Sequence, residues 1–253
     1  MAEWFAQGPH GVRFDWGLAG ATALASPASC LVIVDILSFT TSVTVAVEAG
    51  TRVFPYAWRD ETAAGFARRH QARLAAGRRT ASADSPWSLS PAALRRAPFT
   101  ARLVLPSPNG SAISAAASGS GATVIAASLR NVNAVGRWIA EHGFGTPQRP
   151  VAVIAAGERW PDGDLRPALE DLLGAGAVIA AISEHGAGIP SPEATAARAC
   201  FAGTADLASA VTDSASGREL AESGFADDVA IAIEINTCHV VPVLTDHAFT
   251  SGS

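Results

Sequence analysis

With 253 residues, 49% of them hydrophobic and only 16% charged, the chain can bury a substantial core, and a disordered polymer is excluded. The formal net charge is −5 and no basic cluster is large enough to track a phosphate backbone, so nucleic acid is not an expected partner. All 18 cationic side chains are arginines; without a lysine, Schiff-base chemistry, pyridoxal-phosphate chemistry and a Walker-A nucleotide site are excluded.

The first 27 residues hold a short strand at 12–16 and an Ala-rich connection. Residues 31–34 are a continuous aliphatic and β-branched run, too short for a helix, which reads as a strand buried on both faces. Asp35 ends it, a hydroxyl-rich turn follows (Ser38, Thr40, Thr41, Ser42), and an Ala/Val-rich helix closes at Gly50. Residues 52–56 alternate like a second strand, and 60–76 read as a helix with Asp60 as N-cap and Gly77 as its stop. Residues 80–98 form a Ser/Pro-rich loop, long for a connection in a compact domain.

The strand-like run at 102–105 leads into Pro106-Ser107-Pro108-Asn109-Gly110-Ser111 and an Ala-rich helix, repeating the order strand, polar turn, helix. In that turn Asn109-Gly110 is expected to supply positive φ and exposed backbone N–H groups. Residues 122–126 form the next strand, followed by a helix to about 142 capped by Asn131 or Asn133, with Arg130 beside the cap. The strand at 151–155 delivers residues 156–171, where five carboxylates and two arginines gather in an otherwise charge-poor chain. Pro167 is well placed as the first helical residue, and Gly174-Ala175-Gly176-Ala177 predicts close packing of that helix against a neighbour. Glu170 and Asp171 lie about 100° apart around a helix and cannot both face one point squarely.

The last third reads as mostly helical. Ser191-Pro192-Glu193 opens a helix to about 201, Ser216 to Glu219 has the spacing of a capping box, and 240–244 is a final strand before a fraying tail. The whole predicts one α/β domain over 1–253, a layered sandwich with a mostly parallel central sheet and a helix-rich C-terminal third. Ligands of such sheets bind at the carboxyl ends of strands, where helix N-termini converge. Asp35 and its hydroxyls therefore mark a site for a metal or an oxyanion, or else they only cap a helix.

Other chemistries find no pattern. Six scattered histidines lack HxH or HExxH spacing, and neither GxSxG nor GxGxxG occurs. Cys30, Cys200 and Cys238 show no CxxC spacing and read as reduced thiols. No apolar run reaches the length of a membrane span and no signal peptide is visible, so a cytoplasmic protein without a membrane partner is expected.

Three stretches occur in order with matching strand–turn–helix contexts: Val34-Asp35-Ile36-Leu37-Ser38-Phe39-Thr40-Thr41, Pro108-Asn109-Gly110-Ser111 and Leu169-Glu170-Asp171-Leu172-Leu173-Gly174-Ala175-Gly176-Ala177. Together they resemble the 2-phosphosulfolactate phosphatase family, Mg²⁺-dependent enzymes named for a step in coenzyme M biosynthesis. The similarity runs from about Leu31 to Leu244. Where that family commonly shows an arginine after its Asp-Val-Leu, this chain has Ser38, and its usual Thr-Thr-Asn-Gly-Thr turn is Ser-Pro-Asn-Gly-Ser here.

The resemblance implies a Mg²⁺-dependent phosphatase acting on a small anionic phosphate ester, 2-phosphosulfolactate or a related phosphorylated hydroxy acid. Mg²⁺ takes one or two carboxylates, waters and the phosphate itself. Asp35 and Glu170 are the expected catalytic carboxylates and, with Asp171, the expected metal ligands, one of them acting from behind the others. Thr40, Thr41, Asn109, Gly110 and Ser111 are expected to donate to the phosphate, and Arg159 and Arg166 to hold remaining anionic groups. The alternative is a non-catalytic small-anion-binding or regulatory protein on the same scaffold.

Overall fold

Cys30–Val34 is buried at every position, as an uninterrupted apolar strand must be when helices cover both faces of its sheet. The structure, a computed structural model, describes residues 3–57 and 60–252. The strands are β1 (Val12–Trp16), β2 (Cys30–Val34), β3 (Arg52–Tyr56), β4 (Arg73–Leu74), β5 (Arg102–Pro106), β6 (Thr123–Ala127), β7 (Val151–Ala155), β8 (Glu158–Arg159), β9 (Leu165–Arg166), β10 (Pro242–Thr245) and β11 (Ala248–Ser251). The helices up to mid-chain are α1 (Gly17–Leu24), α2 (Phe39–Glu48), α3 (Glu61–Arg69), α4 (Pro91–Arg96), α5 (Gly110–Ala117) and α6 (Val132–Glu141). The rest are α7 (Leu169–Glu184), α8 (Pro192–Gly203), α9 (Leu207–Thr212), α10 (Ala215–Glu222) and α11 (Ala226–Ala232).

A nine-stranded sheet runs in the order β1-β7-β2-β6-β10-β11-β3-β5-β4, with β8 and β9 as a separate hairpin. β1, β7, β2 and β6 are parallel, as are β3, β5 and β4, and the antiparallel β10–β11 hairpin joins the two blocks. Strand alternation divides the core. Cys30, Val32 and Val34 pack with α6, α7 and α8 residues such as Ile139, Val178 and Ala197, whereas Leu31 and Ile33 pack with Leu24, Phe39, Val43 and Ile113 of α1, α2 and α5. The expected α/β layers with a mostly parallel sheet are therefore present. Tight packing at the predicted glycines is present too: a Cβ on Gly174 would lie 2.6 Å from Ile36 Cδ1, and one on Gly176 would lie 2.2 Å from the Ala197 carbonyl oxygen.

Four expectations are corrected. Asp60 caps α3 by accepting from Thr62 N–H at 2.9 Å, but the helix ends at Arg69, because Gln71 takes φ 52° and Arg73–Leu74 is drawn into pairing with β5. Pro167 is not helical: β9 is held extended against β8, so α7 starts only at Leu169. The cap of α10 is Ser214, whose Oγ accepts from Gly217 N–H at 3.1 Å, while Ser216 lies inside the helix. The tail does not fray. Asp246 and His247, both at positive φ, make a two-residue hairpin turn that returns β11 to β10 and buries Phe249 against Phe39, ring centroids 6.2 Å apart.

The long Ser/Pro loop is also anchored. Ser90 caps α4 within it, and the buried Asp228 carboxylate of α11 accepts from the Ser90 hydroxyl and from Ala92 N–H. Among the described residues, no helix is long and apolar enough to cross a membrane.

Candidate active site

The Asp35 carboxylate, where the chain leaves β2, accepts from two helix N-termini. Oδ1 takes the Phe39 N–H of α2 at 3.0 Å and Oδ2 takes the Gly110 N–H of α5 at 2.9 Å. Each helix start presents unpaired N–H groups and the positive end of its dipole, so a carboxylate is the side chain such a junction favours. Gly110 is required by space. A Cβ there would lie 2.3 Å from Phe39 Cδ1 and 2.7 Å from Asp35 Oδ2. The expected positive φ is absent: Asn109 has φ −105° and Gly110 is not in the left-handed region. Because Phe39 is fully buried and cannot step aside, Gly110→Ala is expected to lift α5 off Asp35 at a cost of about 1–3 kcal/mol. Thermal unfolding and phosphate release would both fall, and an unchanged melting temperature would contradict the packing argument.

Asp171, in the first turn of α7, ties two strand exits together. Its Oδ1 accepts from Ile36 N–H at 2.7 Å and its Oδ2 from Gly157 N–H at 2.8 Å. Both oxygens are thus engaged by backbone just after β2 and β7. Its neighbour Glu170 is only 2% exposed and makes no hydrogen bond among the described residues. The adjacent pair has divided its work as the 100° spacing requires, one carboxylate bracing the backbone and the other left free.

Glu158, at the start of β8, completes the cluster. Its Oε2 accepts from Asn109 Nδ2 at 2.8 Å, and both residues line a cavity of about 510 Å³ together with Trp16, Ile113, Arg159 and Leu165. Burial pushes the Glu158 carboxyl up to about 7, with the charges of Asp35 and Glu170 adding to it and the Asn109 bond opposing it. Burial raises Asp35 as well, and the charge of Glu170 adds to this, against the pull of the Phe39 and Gly110 N–H groups and the Arg78 guanidinium. Asp171 is raised well above the ordinary carboxylate range, by burial first and then by the charges of Asp35 and Glu170. Asp35, Glu158 and Asp171 therefore each feel the charge of Glu170. Among the described residues, no three acidic, histidine or cysteine side chains converge as a ready-made metal cage.

The hydroxyls of Thr40, Thr41 and Ser111 are turned toward backbone carbonyls. Thr40 donates to the Asp35 carbonyl and Thr41 to the Ile36 carbonyl, each at 2.8 Å, and Ser111 donates to the Leu105 carbonyl at 2.8 Å. All three are fully buried. First-turn hydroxyls have closed onto the strand-end carbonyls beneath them, so they shape the turns and offer no proton to a ligand in this conformation. Arg159 is exposed and donates to the Gly163 carbonyl at 2.9 Å, while still lining the Glu158 cavity. Arg166 donates to Ser216 Oγ at 3.3 Å and lies 5.7 Å from the Trp160 ring centroid, close enough for its charge to act on Glu158. Arg130, set beside the Asn131 cap, pairs with Glu48 at 2.9 Å and Glu234 at 3.1 Å instead of facing the site.

Two participants had no individual signal in the sequence. Glu158 counted only toward a dense acidic segment, of which Asp162 and Asp164 prove to be an exposed hairpin tip. Arg78 reaches the Asp35 turn from 40 positions away, its Nη2 donating to Ser38 Oγ at 2.6 Å. The serine itself was the only available clue, standing where the resemblance led to an arginine.

The family model described as 2-phosphosulpholactate phosphatase matches residues 20–247, a span that includes Asp35, Asn109, Gly110, Glu158, Glu170 and Asp171. Comparison with curated proteins finds no match.

Proposed function

Because the chain belongs to the 2-phosphosulpholactate phosphatase family and is thereby a phosphoric monoester hydrolase, we propose that it cleaves 2-phosphosulfolactate or a closely related phosphorylated hydroxy acid with Mg²⁺ bound at the acidic cluster. The observation that carries this reading is Glu170: a buried carboxylate with no hydrogen bond among the described residues, whose charge raises the pKa of Asp35, Glu158 and Asp171. Burying like charges together is costly unless a cation joins them. The donor set fits Mg²⁺, which takes one or two carboxylates and keeps waters, so the lack of a three-carboxylate cage is consistent with it. Glu170 and Asp35 would hold the ion, with Asp171 behind them locking the two backbone turns.

When bound, Mg²⁺ would supply Lewis-acid stabilisation of phosphoryl charge. The chain's own residues do the rest. Asp35 fixes α2 and α5 against each other, so that the first turn of α5 and Asn109 line the cavity. Asn109 orients Glu158, whose carboxyl is half-protonated near neutral pH. In the net reaction a water oxygen bonds to phosphorus as the ester P–O bond breaks; the leaving alkoxide needs a proton, Glu158 is the group poised to give it, and a proton of that water restores Glu158.

The test is phosphate release from a panel of small phosphate esters, in Mg²⁺ and then in EDTA. Release in Mg²⁺ that stops with EDTA supports the reading. Esters that bind without any turnover would instead favour the anion-binding alternative. Comparing sulfonated with carboxylated phospholactate identifies the preferred substrate.

A further inference from the structure

A second cavity, of about 630 Å³, opens on the other side of the Asn109 turn. Its walls include Arg78, Arg79, Ser107, Pro108, Glu219 and Phe225. Two of its wall segments lead to the carboxylate site: Ser107-Pro108 runs directly into Asn109-Gly110, and Arg78 donates to Ser38, which lies in the turn between Asp35 and α2.

Arg78 is held in place rather than left to wander. Its Nε donates to Asp228 Oδ2 at 3.2 Å, its Nη2 to Ser38 Oγ at 2.6 Å, and its guanidinium lies 5.8 Å from the Phe225 ring centroid. Its side chain is 20% exposed, whereas that of Asp228 is 1% exposed and is itself pinned by the Ser90 hydroxyl and Ala92 N–H. A guanidinium has five N–H donors, and these bonds use two of them. Nη1 has no partner among the described residues. Arg79 is exposed and donates to Ser223 Oγ at 3.2 Å, and among the described residues of the wall Glu219 is the one acid and Arg78 the one cation held by buried partners.

We propose that Arg78 binds the second anionic group of the substrate, a carboxylate or sulfonate, while the phosphate lies at the carboxylate cluster; this rests on the phosphatase reading above. A planar fork with free N–H donors suits either anion, and bracing by Asp228 and Ser38 removes most of the ordering cost of binding. The charge of Arg78 already acts on Asp35, so an anion held there adjoins the reacting group. Arg78 is then the residue that separates acid-bearing esters from plain ones.

Three esters read this out: methyl phosphate, 2-phospholactate, and the phosphate ester of 2-hydroxyethanesulfonate. In Arg78→Ala, the preference in kcat/KM for an acid-bearing ester over methyl phosphate is expected to fall roughly 10- to 100-fold, mainly through KM. Ser38→Ala, which removes one brace and no charge, is expected to shift the same ratio in the same direction by less, and keeps the test alive if loss of Arg78 unfolds the protein around Asp228. The ester that loses more identifies carboxylate or sulfonate as the group held. An unchanged ratio in both variants, or an equal loss for all three esters, overturns the proposal. If wild type hydrolyses none of them, the phosphatase reading fails by itself. Calorimetric binding of the same esters to wild type and Arg78→Ala then decides the inference: a loss confined to the acid-bearing esters upholds it, and equal affinities overturn it.

Discussion

Asp35→Asn is expected to lower kcat/KM for phosphate release by roughly 10³-fold or more, equivalent to about 4 kcal/mol of transition-state stabilisation. The change is nearly isosteric and removes the charge that Glu158 feels most directly. It also replaces one of two acceptors at the meeting of α2 and α5 by an NH₂ group, which must face either Phe39 N–H or Gly110 N–H. That mismatch costs about 1–3 kcal/mol, partly offset by relief of repulsion with Glu170. The melting temperature should therefore fall by only a few degrees while activity is lost. Far-ultraviolet circular dichroism with initial-rate assays separates the two effects. Retained activity in a folded Asp35→Asn protein would remove Asp35 from the chemistry.

The second large effect is on stability. The Glu158 carboxyl has a pKa of about 7 in the fold against an ordinary 4.5, and Asp35 and Asp171 are also raised. A raised acid binds protons more tightly folded than unfolded, so its contribution is fully present below the unfolded pKa and is lost as pH rises through the folded one. For Glu158 the window is about pH 4.5 to 7. In EDTA the protein should lose up to about 3 kcal/mol across that window from Glu158 alone, a fall of several degrees in melting temperature for a chain of this size. An Mg²⁺ ion bound as proposed would compete with these protons, so its stabilisation should be small near pH 5 and large near pH 8. Melting curves at both pH values, with Mg²⁺ and with EDTA, check this. A Mg²⁺ shift independent of pH would contradict it, and Glu158→Gln should flatten the EDTA profile.

Much of this arrangement was legible in the sequence because it is local. The buried run ending in Asp35, the small-residue helix after Glu170-Asp171 and the polar turn at Asn109 each follow from strand periodicity, breaker residues and the placement of acids within one segment. Other features depend on contacts that no spacing encodes. The hairpin of β10 and β11 closes the sheet with Asp246-His247, a pair without the usual Asn-Gly signature, so its turn was invisible. Thr40, Thr41 and Ser111 had the right residue types for phosphate donors, but whether a hydroxyl points to a ligand or to the carbonyl beneath it is decided by the packing of the turn. Arg78 donates directly to Ser38 and is braced by Asp228, a residue 150 positions further along, and only the fold brings the three together.

The central claim is that Glu170 and Asp35 make the buried acidic cluster a cation site. Calorimetric titration of Mg²⁺ at pH 8 into wild type and Glu170→Gln tests it most directly, because among the described residues Glu170 supports no hydrogen bond whose loss would disturb the fold. Wild type should bind Mg²⁺ and the variant should bind it at least about 10-fold more weakly while melting at the same temperature or higher. Equal Mg²⁺ affinity in the two proteins, or none in either, would contradict the assignment.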